Sequence, residues 1–336
     1  MKHDTISIVT CSLNSECQLF EKVLRAVRQQ NYDHTLIEHL VMDGGSSNGS
    51  DSLASRYGCS VLRLPEYKDK PLARMSTGIK IARGNIILFL EPDNIIPTKN
   101  WLTQMIAPFS VGSVIGTYSI YNGFERDMPA LTRYTALIGV NDPTVYYLNK
   151  SEKLPRFETK YHLGRIYNET DDYLVVRFSK DDLPVLGDNG HMVRRRIIEK
   201  VNKQPENFLH TDAFAQLLTM GYDTYGVVKN EIIHYTGSDI SDFVRRRSVY
   251  KKRHYDAYRR IRHYYVFDSH STRDCIRLSL FILYSLTFIQ PLFVAFRGFL
   301  AIPDPAWFLH PIVCFVSVLS YTRSEIAYTW KNILHV

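Results

Sequence analysis

The chain has 336 residues, 45% of them hydrophobic and 22% charged. That balance excludes a disordered chain, a collagen or a coiled coil as the whole, and the length fits more than one domain. Lys+Arg is 41 and Asp+Glu is 34, so the formal charge is 41 − 34 = +7. Cys11, Cys17, Cys59, Cys275 and Cys314 lack framework spacing, which argues for reduced thiols in a cytosolic compartment. Met1-Lys2-His3-Asp4 runs directly into a strand-like segment, so no secretory signal peptide is expected.

The first half alternates strand and helix signals. Ile6 to Thr10 is β-branched, and Leu19, Phe20, Val23, Leu24 and Val27 recur at helical spacing. Ile37 to Met42 predicts a second strand, ending in the turn-rich Asp43-Gly44-Gly45-Ser46-Ser47-Asn48-Gly49. A helix through Ser52-Leu53-Ala54 and a strand at Val61–Leu64 follow. Leu72 to Ala82 predicts a helix with Gly84 as its C-cap, and Asn85 to Leu90 is apolar on both faces, as in a central strand of a parallel sheet. Such alternation predicts βαβ units with right-handed crossovers. Residues 112–180 carry few periodic signals, and helical spacing returns at Val193 to Val201 and Asp212 to Met220.

The C-terminal part has another character. Between Arg245 and Arg277 eleven Lys or Arg face three Asp, a local charge of +8. Leu278 to Phe296 and Pro305 to Thr322 contain no charged residue, lengths at the lower edge for a membrane span. Pro291 interrupts the first run, and Arg297 and Asp304 lie between the two, which favours in-plane or re-entrant helices over a clean hairpin; packing on a partner subunit is the other option. Interleaved Tyr250, Tyr255, Tyr258, Tyr264 and Tyr265 suit a membrane interface, and the apolar tail beside them argues for a membrane and against nucleic acid.

In an open parallel sheet ligands bind beyond the carboxyl ends of the strands. Three such ends are polar here: Thr10 to Asn14, Asp43, and Glu91-Pro92-Asp93-Asn94. Two carboxylates one residue apart after a buried strand are costly unless a hard divalent ion or hydrogen-bond donors offset them. Alternatively they cap the loop that Pro92 bends.

These segments resemble family 2 glycosyltransferases with the GT-A fold. The resemblance rests on Ser7-Ile8-Val9-Thr10 with Asn14, on Val41-Met42-Asp43-Gly44-Gly45-Ser46-Ser47-Asn48-Gly49, and on the Arg74 helix (Ala73 to Gly84) followed by Phe89-Leu90-Glu91-Pro92-Asp93, which is similar to that family's DxD loop. It covers about residues 5–235 and implies roles by position. Asp43 would receive the nucleotide base above the Thr10–Asn14 loop. Arg74 would sit by the nucleotide and diphosphate. Glu91, in place of the usual Asp, would lie near ribose and sugar, and Asp93 at the metal, Mg2+ or Mn2+. Without the resemblance, Asp43 reads as an Asx-turn residue and Arg74 as a solvated helix charge.

Downstream, Leu186 to Arg195 resembles the family's acceptor-side glycine loop, placing Asn189 and Gly190 there. His210-Thr211-Asp212 resembles its acidic helix start, with Thr211 where Glu is usual; Asp212 would be the general base, or else an N-cap. His234, after an apolar run, would complete the metal site or be structural, and Arg246 in the basic stretch would reach the diphosphate or the acceptor side. The Gln-x-x-Arg-Trp pattern of processive synthases is absent.

The resulting expectation is an α/β chain. Residues 1–240 form a GT-A catalytic domain with a mixed, mostly parallel sheet, 241–277 a basic connector, and 278–336 a membrane-associated helical tail. The activity implied is metal-assisted, inverting transfer of a sugar from a nucleotide-diphosphate donor, a UDP-sugar by family resemblance. The acceptor would be a lipid-linked or membrane-proximal glycan at the cytoplasmic face of a membrane. Thr211 and Glu91 motivate one alternative, a catalytically silent scaffold of the same shape. A nucleotidyltransferase is the other, and the chain lacks the Gly-rich, Lys-bearing phosphate loop that would support it.

Overall fold

A computed structural model describes residues 4–187, 189–251 and 262–333. In chain order the elements are β1 (Ile6–Ser12), α1 (Cys17–Arg28), β2 (Ile37–Asp43), α2 (Ser50–Arg56), β3 (Ser60–Arg63), α3 (Pro71–Ile81), β4 (Ile86–Phe89), β5 (Asn94–Ile95), α4 (Trp101–Ile106) and β6 (Gly116–Gly123). Then come α5 (Ala130–Ile138), α6 (Pro143–Tyr147), β7 (Arg165–Glu169), β8 (Tyr173–Arg177), β9 (His191–Arg194), α7 (Arg195–Ile198), α8 (His210–Thr219) and β10 (Thr224–His234). Helices α9 (Ile240–Tyr250), α10 (Thr272–Thr287), α11 (Ile289–Ala301) and α12 (Leu309–Ile333) complete the chain. The backbone groups into two units, Met1–Gly123 with His162–Tyr235, and Phe124–Tyr161 with Thr236–Val336. Residues 124–161, expected inside a domain spanning 1–240, therefore group with the C-terminal segment.

The first unit is a sheet in the order β3-β2-β1-β4-β9-β6-β10-β8-β7, with β5 pairing β10. Strands β3, β2, β1, β4, β6, β10 and β7 run one way, and β9, β8 and β5 the other. The sheet is thus mixed and mostly parallel, as the alternating pattern predicts. Every residue of β1 and β4 is buried, because helices cover both faces of these inner strands. Helix α1 buries Phe20, Val23, Leu24 and Val27, the periodic positions in the sequence, and the Glu16 carboxylate caps it by accepting from the Gln18 and Leu19 amides.

Two local expectations change. Val193 and Arg194 lie in β9, and helix begins only at Arg195. Antiparallel pairing of β9 with β4 on one side and β6 on the other overrides the local helical spacing. Gly84 does not cap α3, which ends on an extended Ala82. A Cβ at Gly84 would lie 2.5 Å from the Ser7 amide nitrogen, so close approach to β1 is what requires glycine there.

The second unit packs α5, α9, α11 and α12 around Leu131, Tyr134, Leu137, Ile138, Phe243, Val294, Trp307 and Val313. Gly298 of α11 lies flat on Trp307, where a Cβ would come within 2.4 Å of the indole. Polar groups tie α12 into this unit. His310 meets the Tyr134 hydroxyl at 2.9 Å and the Tyr147 hydroxyl at 3.0 Å, Tyr321 donates to Asp142, and Lys251 pairs with Glu325 at 2.8 Å. By length and composition Pro305–Trp330 is long and apolar enough to cross a membrane, and α10 with α11 passes the same test as a pair bent by 83°. Of the basic stretch, residues 252–261, with Tyr255 and Tyr258, lie outside the described residues.

Candidate active site

The carboxyl ends of β2, β1 and β4 lie side by side, since Asp43 is in register with Ser12 and Val9 with Phe89. Asp43 is fully buried and closes an Asx turn, with its Oδ2 accepting from the Gly45 and Ser46 amides at 2.9 Å each and its Oδ1 from the Ser46 hydroxyl. Arg63 Nε stands 3.9 Å away. The β1 loop is laced to this turn. Asn14, left-handed at φ +49°, donates from its amide to Ser46 Oγ at 2.8 Å and accepts from the Ser47 amide at 2.8 Å.

Thr10 serves the frame. Its hydroxyl donates to the Leu90 carbonyl at 2.6 Å, so its 2.9 Å contact with His39 Nε2 makes the imidazole the donor, a neutral ring protonated at Nε2. Burial first, and then the Arg28 charge, hold the His39 pKa down at about 4 from 6.5. The unfolded chain therefore binds more protons between these values. Stability is complete above about pH 6.5 and is lost as pH falls towards 4, by about 3 kcal/mol. Gln at position 39 keeps an N–H for Thr10 but does not titrate, so His39→Gln is expected to flatten this fall in urea midpoints measured from pH 7 to 4.

Arg74 is only 3% exposed, which replaces the expectation of a solvated helix charge. Its Nη1 donates to the Ser12 carbonyl, and its Nε is buried with no hydrogen-bond partner among the described residues. Gly44 makes room for it, since a Cβ there would lie 2.2 Å from Nη1. Helix α3 is held by Ser76, which donates to Asn202 Oδ1 while Asn202 Nδ2 returns to the Ser76 carbonyl at 2.9 Å. Among the described residues Arg74 has no carboxylate partner, and a buried cation so placed is costly, so this guanidinium is suited to an anion entering the site.

The Glu91–Asp93 loop is fastened by Asn94, a residue the motif alone does not single out. Asn94 is fully buried; its Nδ2 donates to Asp93 Oδ1 and to Asn189 Oδ1 at 3.1 Å each, and its Oδ1 accepts from the Glu91 amide at 3.2 Å. This gathers Asn189 to the loop, while Gly190 donates to the Phe89 carbonyl at 2.9 Å. The two-residue β5 pairs Asn94 with His234 across to β10, and the Tyr235 amide donates to the Asp93 carbonyl at 2.9 Å. His234 Nε2 thereby reaches 3.5 Å from Asp93 Oδ2. Imidazole and carboxylate at that separation fit a shared divalent cation. Among the described residues no group of three or more His, Cys, Asp and Glu is placed to hold a metal, so the pair would leave further coordination positions to a ligand's oxygens.

Asp212 lies in the first turn of α8 and is 8% exposed. It is not the N-cap, a position that falls on Leu209, which makes no side-chain capping bond. Arg246 belongs to the second unit, where it donates to the Thr236 carbonyl and pairs with Asp242 at 3.0 Å.

Solved structures similar to this chain include two glycosyltransferases. A mannosyltransferase of Pyrobaculum calidifontis, solved with GDP-Man and Mn2+, is 13% identical, with 94% of this chain and 86% of that one covered at a TM-score of 0.53. The glucosyl-3-phosphoglycerate synthase of Mycobacterium tuberculosis, solved with Mn2+ and UDP-glucose, is 17% identical over 73% of this chain and 76% of that one, at a TM-score of 0.44. In sequence, the glycosyltransferase AglE of Haloferax volcanii is 28% identical over 100 residues, 29% of this chain and 33% of that protein, so the match spans about a third of that relative. The family described as Glycosyl transferase family 2 matches residues 7–201, more than half of the chain and the segment that carries Asp43, Arg74, Glu91, Asp93 and Asn189. The chain therefore belongs to glycosyl transferase family 2, and its first unit carries the GT-A sheet.

Proposed function

We propose that the protein is a metal-assisted, inverting glycosyltransferase using a nucleoside-diphosphate sugar, with uridine as the base. The acceptor is the hydroxyl of a lipid-linked or membrane-proximal glycan at the cytoplasmic face of a membrane. The observation that carries this reading is the buried Arg74 guanidinium bonded to the end of β1 opposite Asp43, with the Asp93–His234 pair on the loop that follows β4. The basic connector and apolar tail support the membrane-proximal acceptor.

In this reading Asp43, fixed by its turn, accepts an N–H of the base, and the Asn14–Ser47 lacing keeps the base pocket in shape. Arg74 opposes the diphosphate charge, and Glu91 accepts from ribose or sugar hydroxyls. Asp93 and His234 hold Mg2+ or Mn2+, which when bound supplies Lewis-acid charge to the leaving group. Asn189 and Gly190 border the acceptor side. Asp212 takes the acceptor's proton as the acceptor oxygen bonds the anomeric carbon and the bond from that carbon to the diphosphate oxygen breaks, with the electron pair leaving on the diphosphate. A single base opposite the leaving group inverts the anomeric centre.

The test is thermal stability in the presence of UDP- and GDP-sugars, with and without Mn2+. A ligand at 100 times its Kd should add about 2.7 kcal/mol. Chelation and Asp93→Ala should each remove the metal-dependent part. No shift with any nucleotide sugar overturns the donor assignment, and a shift indifferent to both treatments removes the metal.

A further inference from the structure

We infer that α10 and α11 form an in-plane wedge that seats the second unit in the surface of an anionic bilayer without crossing it. The inference builds on the membrane-proximal acceptor proposed above. Vesicle binding is read without turnover, so either proposal can fail alone.

The wedge is built by sequence. Phe288 closes α10 in the left-handed region at φ +61°, and α11 starts at once on Ile289. Pro291 lacks an N–H, and its ring would clash with the Thr287 carbonyl in a continuous helix, so the chain must turn here. The bend is 83°. At 1.5 Å per residue, 16 and 13 residues give about 24 and 20 Å, each short of a hydrocarbon core about 30 Å thick. Neither arm can span, and the bend prevents the two from adding their lengths.

One face of each arm is buried in its own unit, α10 through Phe281 and Ser285, α11 through Pro291, Val294, Ala295 and Gly298. The other face is apolar and open. Ile289 is 74%, Phe293 66% and Leu300 84% exposed. Leu283, Leu286 and Phe296 continue the stripe at helical spacing. A contiguous apolar stripe of this kind marks a partner or a membrane.

Charge selects the bilayer. Asp274 is the sole acidic residue of the two helices, and it is buried on Lys150 at 2.5 Å. Arg273 near the start of α10 and Arg297 between Phe296 and Leu300 of α11 are, in contrast, exposed, the latter with its guanidinium over the Phe157 ring at 4.6 Å. Exposed basic side chains beside an apolar face, behind residues 245–271 with nine Lys or Arg against two Asp, match an interfacial helix against anionic headgroups. Helix α12 is bound along its length to the same unit, His310 to Tyr134 and Tyr147, Tyr321 to Asp142 and Glu325 to Lys251.

The test uses the full chain with preformed vesicles. Binding is expected to vesicles containing phosphatidylglycerol and to be much weaker with phosphatidylcholine alone. Changing the three most open positions together, Ile289→Gln, Phe293→Gln and Leu300→Gln, should weaken binding about tenfold or more at unchanged melting temperature. Arg273→Glu should do so in part, and serves if the triple variant misfolds. Leu283→Trp, Phe293→Trp and Leu300→Trp should each be quenched more by lipid brominated near the headgroup than near the chain ends. A gradient of depth along these positions would overturn the in-plane seat in favour of a re-entrant or spanning pair. Failure to bind vesicles, or a lipid-free dimer that the triple variant dissociates, would overturn the membrane in favour of a second copy.

Discussion

Asp212→Asn is expected to lower the rate of sugar transfer by roughly 10²–10⁴-fold, the range that a positioned base contributes. The amide cannot take a proton, yet it has nearly the same shape, so donor binding should persist and the loss should appear in kcat. The competing role for Asp212 is electrostatic. An acidic residue in the first turn of α8 favours the helix dipole by about 0.3–1 kcal/mol. A purely structural Asp212 would therefore lose a fraction of its stability and none of its turnover. Single-turnover transfer and urea unfolding on the same variant separate the two, and full activity in the Asn variant would end the assignment.

Arg74→Met is expected to reduce kcat/KM for the donor by about 10²–10³-fold, comparable to removing one preorganised donor from a developing charge. The fold should not suffer. The Ser12 carbonyl keeps the Gly44 amide at 2.8 Å, and a buried charge with no carboxylate partner among the described residues disappears. Activity falling while the urea midpoint holds or rises is the signature. Gly44→Ala should give a milder version of the same phenotype, because its methyl would occupy the place of Nη1. Unchanged donor binding in both variants would make Arg74 a packing residue.

Much of the frame was legible because it is local. The periodic apolar positions of α1 and the uniformly apolar β4 announce themselves within a dozen residues, and Asp43 is followed by the glycines its turn needs. What escaped depends on distant partners. Strand β9 is four residues inserted between β4 and β6, so its state is decided about a hundred residues upstream. Residues 124–161 carry few signals of their own, since α5 finds its apolar partners in Trp307 and Val313. Asn94 carries no signal of its own in the sequence, because its three side-chain hydrogen bonds depend on the approach of Asn189 and the folding back of the loop. The long-range proximities expected within the site, Asp93 with His234 among them, came from the family pattern and not from spacing.

The two-residue bridge between β5 and β10 has a bearing on biosynthesis. A ribosome-bound chain extended only to residue 201, where the family match ends, already contains Asp43, Arg74 and Asp93, but His234 is still unmade. In the proposed reading such a chain would lack one of the two metal ligands, and the pair would be completed only when the final strand of the sheet pairs with β5 and β6.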